Sequence, residues 1–324
     1  MWKIWALIAS VFAAMLTGAS LSHAADYPTR TIKFVVPYVA GGPTDAQARL
    51  FAEYLSRDLK QSVVVENKGG AQGAIGAEAV AHGDSDGYTM LFTTSSVIEL
   101  NPVLYKKLSY DPARELRILG ILTEVPMIMI VHPSVPARTI AEFIDYARKN
   151  PGKLNFGSPG NGSIGQLAGE MFKQQAGIEM THVPYKGAGA ALTDLLSGQI
   201  QVMFESIGIS LPPVQAGLVR ALGVSSTARI AELPDLPTIA ESHPGYRVSV
   251  WYGVAAPTGM PAEASQKISM SINRALGDET FRASLTKAGF PPLKPQGETA
   301  TKDFVDADTA RWLAVLKQMN FSLD

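Results

Sequence analysis

The chain has 324 residues, 28 basic against 29 acidic side chains for a net charge of −1, 46% hydrophobic residues and no cysteine. So even a balance offers nothing to a nucleic-acid backbone or an anionic membrane surface. Absence of cysteine excludes disulfides, a thiol nucleophile and a lipid-anchoring N-terminal cysteine, while the length suggests two domains with ample core.

Lys3 precedes an apolar run over residues 4–16 that only Ser10 breaks, and Ser22-His23-Ala24 then forms a small-x-small cleavage site. Basic, apolar, small is the order of a secretory signal peptide, and the run is too short for a spanning helix. Residues 1–25 are therefore expected to be removed, near Ala24 or Ala25, leaving a free periplasmic protein.

Strand-like and helix-period segments alternate after that. Residues 31–36 read as a strand, and Ala48, Phe51, Leu55 and Leu59 mark one helical face. A strand over 62–65, a helix over 74–81 and a strand over 88–93 follow, ending at Thr94-Ser95-Ser96. Two strands, 116–122 and 127–131, precede a helix through Ile140, Phe143, Ile144 and Ala147. Leu154-Asn155-Phe156 leads into the bend Gly157-Ser158-Pro159-Gly160-Asn161-Gly162-Ser163, and Ile164, Leu167, Ala168, Met171 and Phe172 mark the next helix. A strand over 180–183, a helix through Ala188, Ala191, Leu192 and Leu195, and strands over 202–204 and 221–224 complete the alternation. Such alternation predicts parallel sheets with right-handed crossovers, an α/β fold.

The last third departs from this rhythm, with a strand over 248–256 and helices over about 262–276, 279–288 and 299–319. One arrangement explains it: residues 125–247 form a second lobe inserted into a first lobe made of 26–124 and 248–324. Two crossing strands then make a hinge, with ligands bound between the lobes. Sequential domains divided near residue 150 are the alternative.

Three strand-to-helix junctions share one chemistry: Pro37-Tyr38-Val39-Ala40-Gly41-Gly42-Pro43-Thr44-Asp45, the Gly157–Ser163 bend, and Val183-Pro184-Tyr185-Lys186-Gly187-Ala188. Each sets glycine or proline where a strand yields to a helix, at the edge where open α/β sheets bind ligands. First-turn amides and the helix dipole there suit a small anion, and Tyr38 and Tyr185 offer aromatic walls. A plainer account of the bend is a chain reversal capped by the Ser163 hydroxyl.

These junctions, together with Asp86-Gly87-Tyr88-Thr89 and Leu167-Ala168-Gly169-Glu170, resemble the tripartite tricarboxylate transporter receptors, also called Bug-type periplasmic solute-binding proteins. The resemblance spans nearly the whole mature length. It implies a two-lobed α/β Venus-flytrap (type II periplasmic-binding-protein) fold with two hinge-crossing strands. It also implies a monomer that captures a small organic acid, whether mono- or dicarboxylate, aromatic acid or amino acid, and delivers it to a cognate inner-membrane permease, with no cofactor and no enzymatic activity. By the same resemblance Tyr38, Gly41 and Gly42 line one lobe with Ser95 nearby. Ser158 and Ser163 meet a carboxylate from the other lobe, aided by the Gly187 and Ala188 amides. Two residues depart from the family pattern: Gln166 stands where many relatives carry histidine, and Glu205 where many carry aspartate. A cleft-facing ionised Glu205 would favour a ligand with a hydrogen-bond donor over a second carboxylate; an outward-turned acid or a helix cap is the other reading.

Other residues invite plainer accounts. His82, His132, His182 and His243 are scattered without metal-ligand spacing. Lys186 either pairs with a ligand carboxylate or is a solvated loop charge. Gly69-Gly70-Ala71-Gln72-Gly73-Ala74-Ile75-Gly76 lacks the dinucleotide spacing and reads as close helix packing. Asp86-Gly87 reads as a turn, and Trp251 and Tyr252 as hinge packing. Two further functions remain open: a sensor presenting its closed state to a membrane signalling partner, and an exported hydrolase. The hydrolase lacks a nucleophile elbow, since Gly162-Ser163-Ile164-Gly165 has the wrong spacing.

Overall fold

A computed structural model describes residues 27–319, so the signal-peptide reading of residues 1–25 lies outside the described residues. Helix periodicity, caps and glycine junctions become α1 (Pro43–Leu59), α2 (Ala74–Ala81), α3 (Ile140–Lys149), α4 (Ile164–Ala176), α5 (Ala188–Leu196), α6 (Ile207–Gln215), α7 (Ala262–Gly277), α8 (Glu279–Lys287) and α9 (Glu298–Met319). The strands are β1 (Ile32–Val36), β2 (Val63–Asn67), β3 (Thr89–Thr94), β4 (Leu116–Val131), β5 (Asn155–Ser158), β6 (Thr181–Pro184), β7 (Val202–Ser206), β8 (Arg220–Val224) and β9 (Ser249–Pro257). Thr139, Ser163 and Asp278 cap α3, α4 and α8 by accepting a first-turn N–H on their side chains, which satisfies donors that a helix start leaves without partners.

In space the strands run β2-β1-β3-β9-β4-β7-β5-β6, with β8 also on β4. The pairs β1–β2, β1–β3, β5–β6 and β5–β7 are parallel, while β9 runs against β3 and β4. Thus β2, β1, β3 and β9 build one half on the first part of β4, and β7, β5, β6 and β8 build the other on its last part. The two strands expected over 116–122 and 127–131 are one 16-residue strand. It pairs with β9 from Leu116 to Pro126 and with β7 from Met127 to Val131. Pro126, which cannot donate to a ladder, stands where the partner changes.

That register fixes which ends meet. Thr94, the last residue of β3, lies opposite Tyr252, and Thr123 lies opposite the same residue on the other side of β9. Ser206, the last residue of β7, lies opposite Met127. Following β4 from Thr123 to Met127 therefore leads from the carboxyl ends of one parallel set directly to those of the other. The helices at these ends, α1, α4, α5 and α6, start facing a common cleft.

Each half has its own aromatic core. Phe34 packs on Phe51 and Phe92, and Phe281 of α8 closes over Phe51 and Tyr54. Phe172 of α4 gathers Phe143, Phe204 and Tyr246 in the second half. A buried phenylalanine is worth about 1.5–3 kcal/mol, and residues of β4 and β9 join both clusters into one continuous core.

Candidate functional site

From the first half come the β1–α1 loop and the end of β3. Asn67 trusses the loop, donating to Tyr38 O at 3.1 Å and to Asp45 Oδ1 at 3.0 Å. Asp45 accepts from the Gly41 N–H and from Arg49 as well. Burial would raise its pKa, but these hydrogen bonds outweigh it and hold the carboxyl below the usual range. Gly42 precedes Pro43 as the residue before the first turn of α1. Tyr38 turns its hydroxyl to Thr94 Oγ1 at 3.0 Å and to the Ser96 side chain. Burial pushes this phenol up to about 12, so it is neutral near pH 7. Ser95 is fully buried and its Oγ has no partner.

The second half contributes the Gly157–Ser163 bend, whose polar groups largely satisfy one another. Ser158 Oγ meets Gly160 O at 3.0 Å, the Gly160 N–H at 3.2 Å and His182 Nε2 at 2.7 Å. Burial, with Lys173 nearby, lowers the His182 pKa to about 4, so the ring is neutral near pH 7. Ser163 Oγ donates to Gly160 O at 2.7 Å and accepts the Gln166 N–H at 3.3 Å. Gln166 Oε1 takes the Gly162 N–H at 2.7 Å, a reciprocal capping arrangement. The Gly187 N–H goes to Pro159 O at 3.1 Å, tying the third loop to the second, while Ala188 opens α5. Tyr185 gives its hydroxyl to Asp194 of that helix at 2.7 Å. Lys186 is exposed.

Glu205 lies near the end of β7 and is 6% exposed. Its Oε1 accepts the Ser206 N–H at 2.8 Å, and its Oε2 has no partner. Burial raises its pKa, against the hydrogen bonds from Ser206. Tyr252 is buried on β9, and its phenol is held above its usual range by burial and then by the neighbouring Glu205 and Tyr38. Tyr38 reaches Thr94, which lies opposite Tyr252 in the ladder, and the carboxyl of Glu205 on the other half is close enough to act on the same phenol. Tyr252 packs where the strands cross, as expected, with its ring against Phe290. The partner of Tyr38, Thr94, carries no signal in the sequence beyond ending its strand.

A surface hollow of about 360 Å³, lined by residues including Lys173, Ile178 and Met319, lies at the far end of α4 from these loops. Among the described residues, no group of three metal-ligating side chains occurs and no helix is long and apolar enough to cross a membrane.

Two α/β halves joined by crossing strands, with glycine-rich strand ends facing one cleft, define a two-lobed periplasmic binding protein. The family model of the tripartite tricarboxylate transporter family receptor matches residues 47–321, and the chain belongs to that family, which comprises periplasmic solute receptors, not enzymes. BugT of Bordetella pertussis is 30% identical over 98% of this chain and 97% of its own length. An R. palustris protein solved with adipate is 36% identical, with a TM-score of 0.87 over 92% of this chain and 99% of that one. MatC from Rhodopseudomonas palustris, solved with bound malate, is 31% identical, with a TM-score of 0.82 over 90% and 100%.

Proposed function

We propose that this protein is exported after removal of residues 1–25 and works as a monomeric receptor. It captures a small organic carboxylate between a lobe of residues 26–124 and 248–324 and a lobe of residues 125–247, then delivers it to a tripartite tricarboxylate-type permease. The observation that carries this reading is that Ser95 Oγ, just past the end of β3, and Glu205 Oε2, near the end of β7, are both buried without partners. Buried polar atoms cost free energy unless paired, and a bound carboxylate supplies acceptors to both.

In this reading Tyr38, Ser95 and Glu205, whose burial favours the protonated form, contact the ligand, with main-chain groups at Gly41, Gly42 and Ala188 and the face of Tyr185 around them. Ser158, Ser163 and Gly187 shape the loop that presents the amides. The charge is met by neutral donors in a dry site, where hydrogen bonds to an ion are strong. Relatives solved with adipate and malate support a carboxylate ligand.

A thermal-shift screen over mono- and dicarboxylates, aromatic acids and amino acids tests the proposal. An acid at about a hundred times its Kd should stabilise the protein by roughly 2.7 kcal/mol, a rise of several degrees. No rise with any acid at millimolar concentration would sink the reading.

A further inference from the structure

The loop between β2 and α2 packs closely on Pro37 and Val97 at Gly73, and it also carries backbone strain at two residues that are not glycine. Gly70, Ala71, Gln72 and Gly73 all have positive φ, at 132°, 46°, 50° and 89°. For Ala71 and Gln72 this is the left-handed region, which costs an L-residue about 1 kcal/mol or more. Glycine would sit at position 72 without that cost. Asn101 Nδ2 donates to Gln72 O at 3.1 Å and so helps to hold the conformation.

What the conformation does is aim the Gln72 side chain across the cleft. On the other half it approaches Gly160, in the bend that precedes α4. A Cβ built on Gly160 would lie 2.7 Å from Gln72 Nε2 and 3.9 Å from its Cδ. Gly160 itself is at φ +145°, and its carbonyl accepts both loop hydroxyls, Ser158 and Ser163. The amide tip of one half thus fills the space that the missing side chain leaves in the other, beside the first turn of α4.

We propose that Gln72 is a positioning residue that latches the two lobes in the closed state and thereby slows ligand release. This rests on the receptor reading above, in which closure buries the ligand. The strained backbone is kept because it delivers an uncharged, hydrogen-bonding tip to the Gly160 loop only when the halves are closed. An open form loses that contact and keeps the strain.

The signature is opposite effects on fold and on closure. Gln72→Gly relieves the strain and should raise Tm by about 1–3 °C, while shifting the halves apart. Gln72→Ala keeps the strain and should shift the halves apart without that gain. Because the chain has no cysteine, spin labels at Val64→Cys and Leu196→Cys, exposed positions on opposite halves, report the separation uniquely. Distance distributions are read alone and with adipate or malate.

Both variants should populate longer separations than the parent in at least one condition. Where an acid binds, they should also release it three- to tenfold faster. Unchanged distributions in every condition overturn the latch, as does a Tm for Gln72→Gly that falls by several degrees. If no acid binds, the receptor reading fails, but the label distances without ligand still decide the latch.

Discussion

Glu205 carries the sharpest consequence of any single residue in the cleft. Its carboxyl is buried, makes one hydrogen bond to the Ser206 N–H and leaves Oε2 without a partner. Burial raises its pKa above the ordinary 4.5, so the folded state holds a proton that the unfolded chain has released. Stability from this group is present in full below pH 4.5 and declines as pH rises through the folded-state value. Replacing it with glutamine keeps the shape and a donor but removes the ionisation. Glu205→Gln should therefore gain about 1–3 kcal/mol relative to the parent at pH 8 and flatten the decline, while still binding a carboxylate. Denaturant titrations from pH 5 to 9 check this. A variant less stable than the parent at pH 8 would mean that the charged form is the one the fold prefers.

At the scale of elements, glycine spacing matters more than helix propensity. Gly165 opens α4, where alanine would normally be favoured by about 1 kcal/mol. A Cβ there would lie 2.7 Å from Phe204 O and 3.3 Å from Pro159 Cδ, and neither atom belongs to a flexible side chain. Gly165→Ala should thus destabilise the protein by about 1–3 kcal/mol, seen as a lower midpoint in thermal melts, and should move the α4 amides off the cleft. An unchanged melt would show that the α4–β7 contact yields easily.

The sequence alone made most elements legible, because alternation of apolar runs with helical faces is a local signal. It read the crossing strand as two pieces, since Glu124 and Pro126 interrupt the apolar pattern. Glu124 is accommodated by Arg247 at 2.9 Å and Ser249 at 2.6 Å, partners distant in sequence. Helix α6 went unread because Pro212 and Pro213 lie inside it. The strand-end positions of Tyr38 and Glu205 were legible in the sequence, whereas the approach of Gln72 to Gly160 was not. Its role depends on proximity to Gly160, and no spacing within its own loop encodes that.

The two halves are joined where β4 and β9 pass between them. Around that crossing, Arg311 donates to Arg247 O at 3.0 Å and Trp251 Nε1 to Glu99 Oε1 at 2.7 Å, so α9 and the helical turn Ser96–Leu100 after β3 both brace the segment that enters β9. A second contact joins the halves beside the hinge. Gly208, in the first turn of α6, approaches Ala288 and Phe290, which follow α8, and a Cβ on it would lie 3.0 Å from Ala288 O. Its helical conformation accepts any residue, so valine adds bulk there without backbone strain. Gly208→Val should act as a wedge that favours the open form and weakens carboxylate binding about tenfold, or 1.4 kcal/mol. Small-angle scattering with saturating ligand should then give a larger radius of gyration than the parent's. Weaker binding at an unchanged radius would instead assign the loss to local damage beside Glu205, and closure would not depend on this contact.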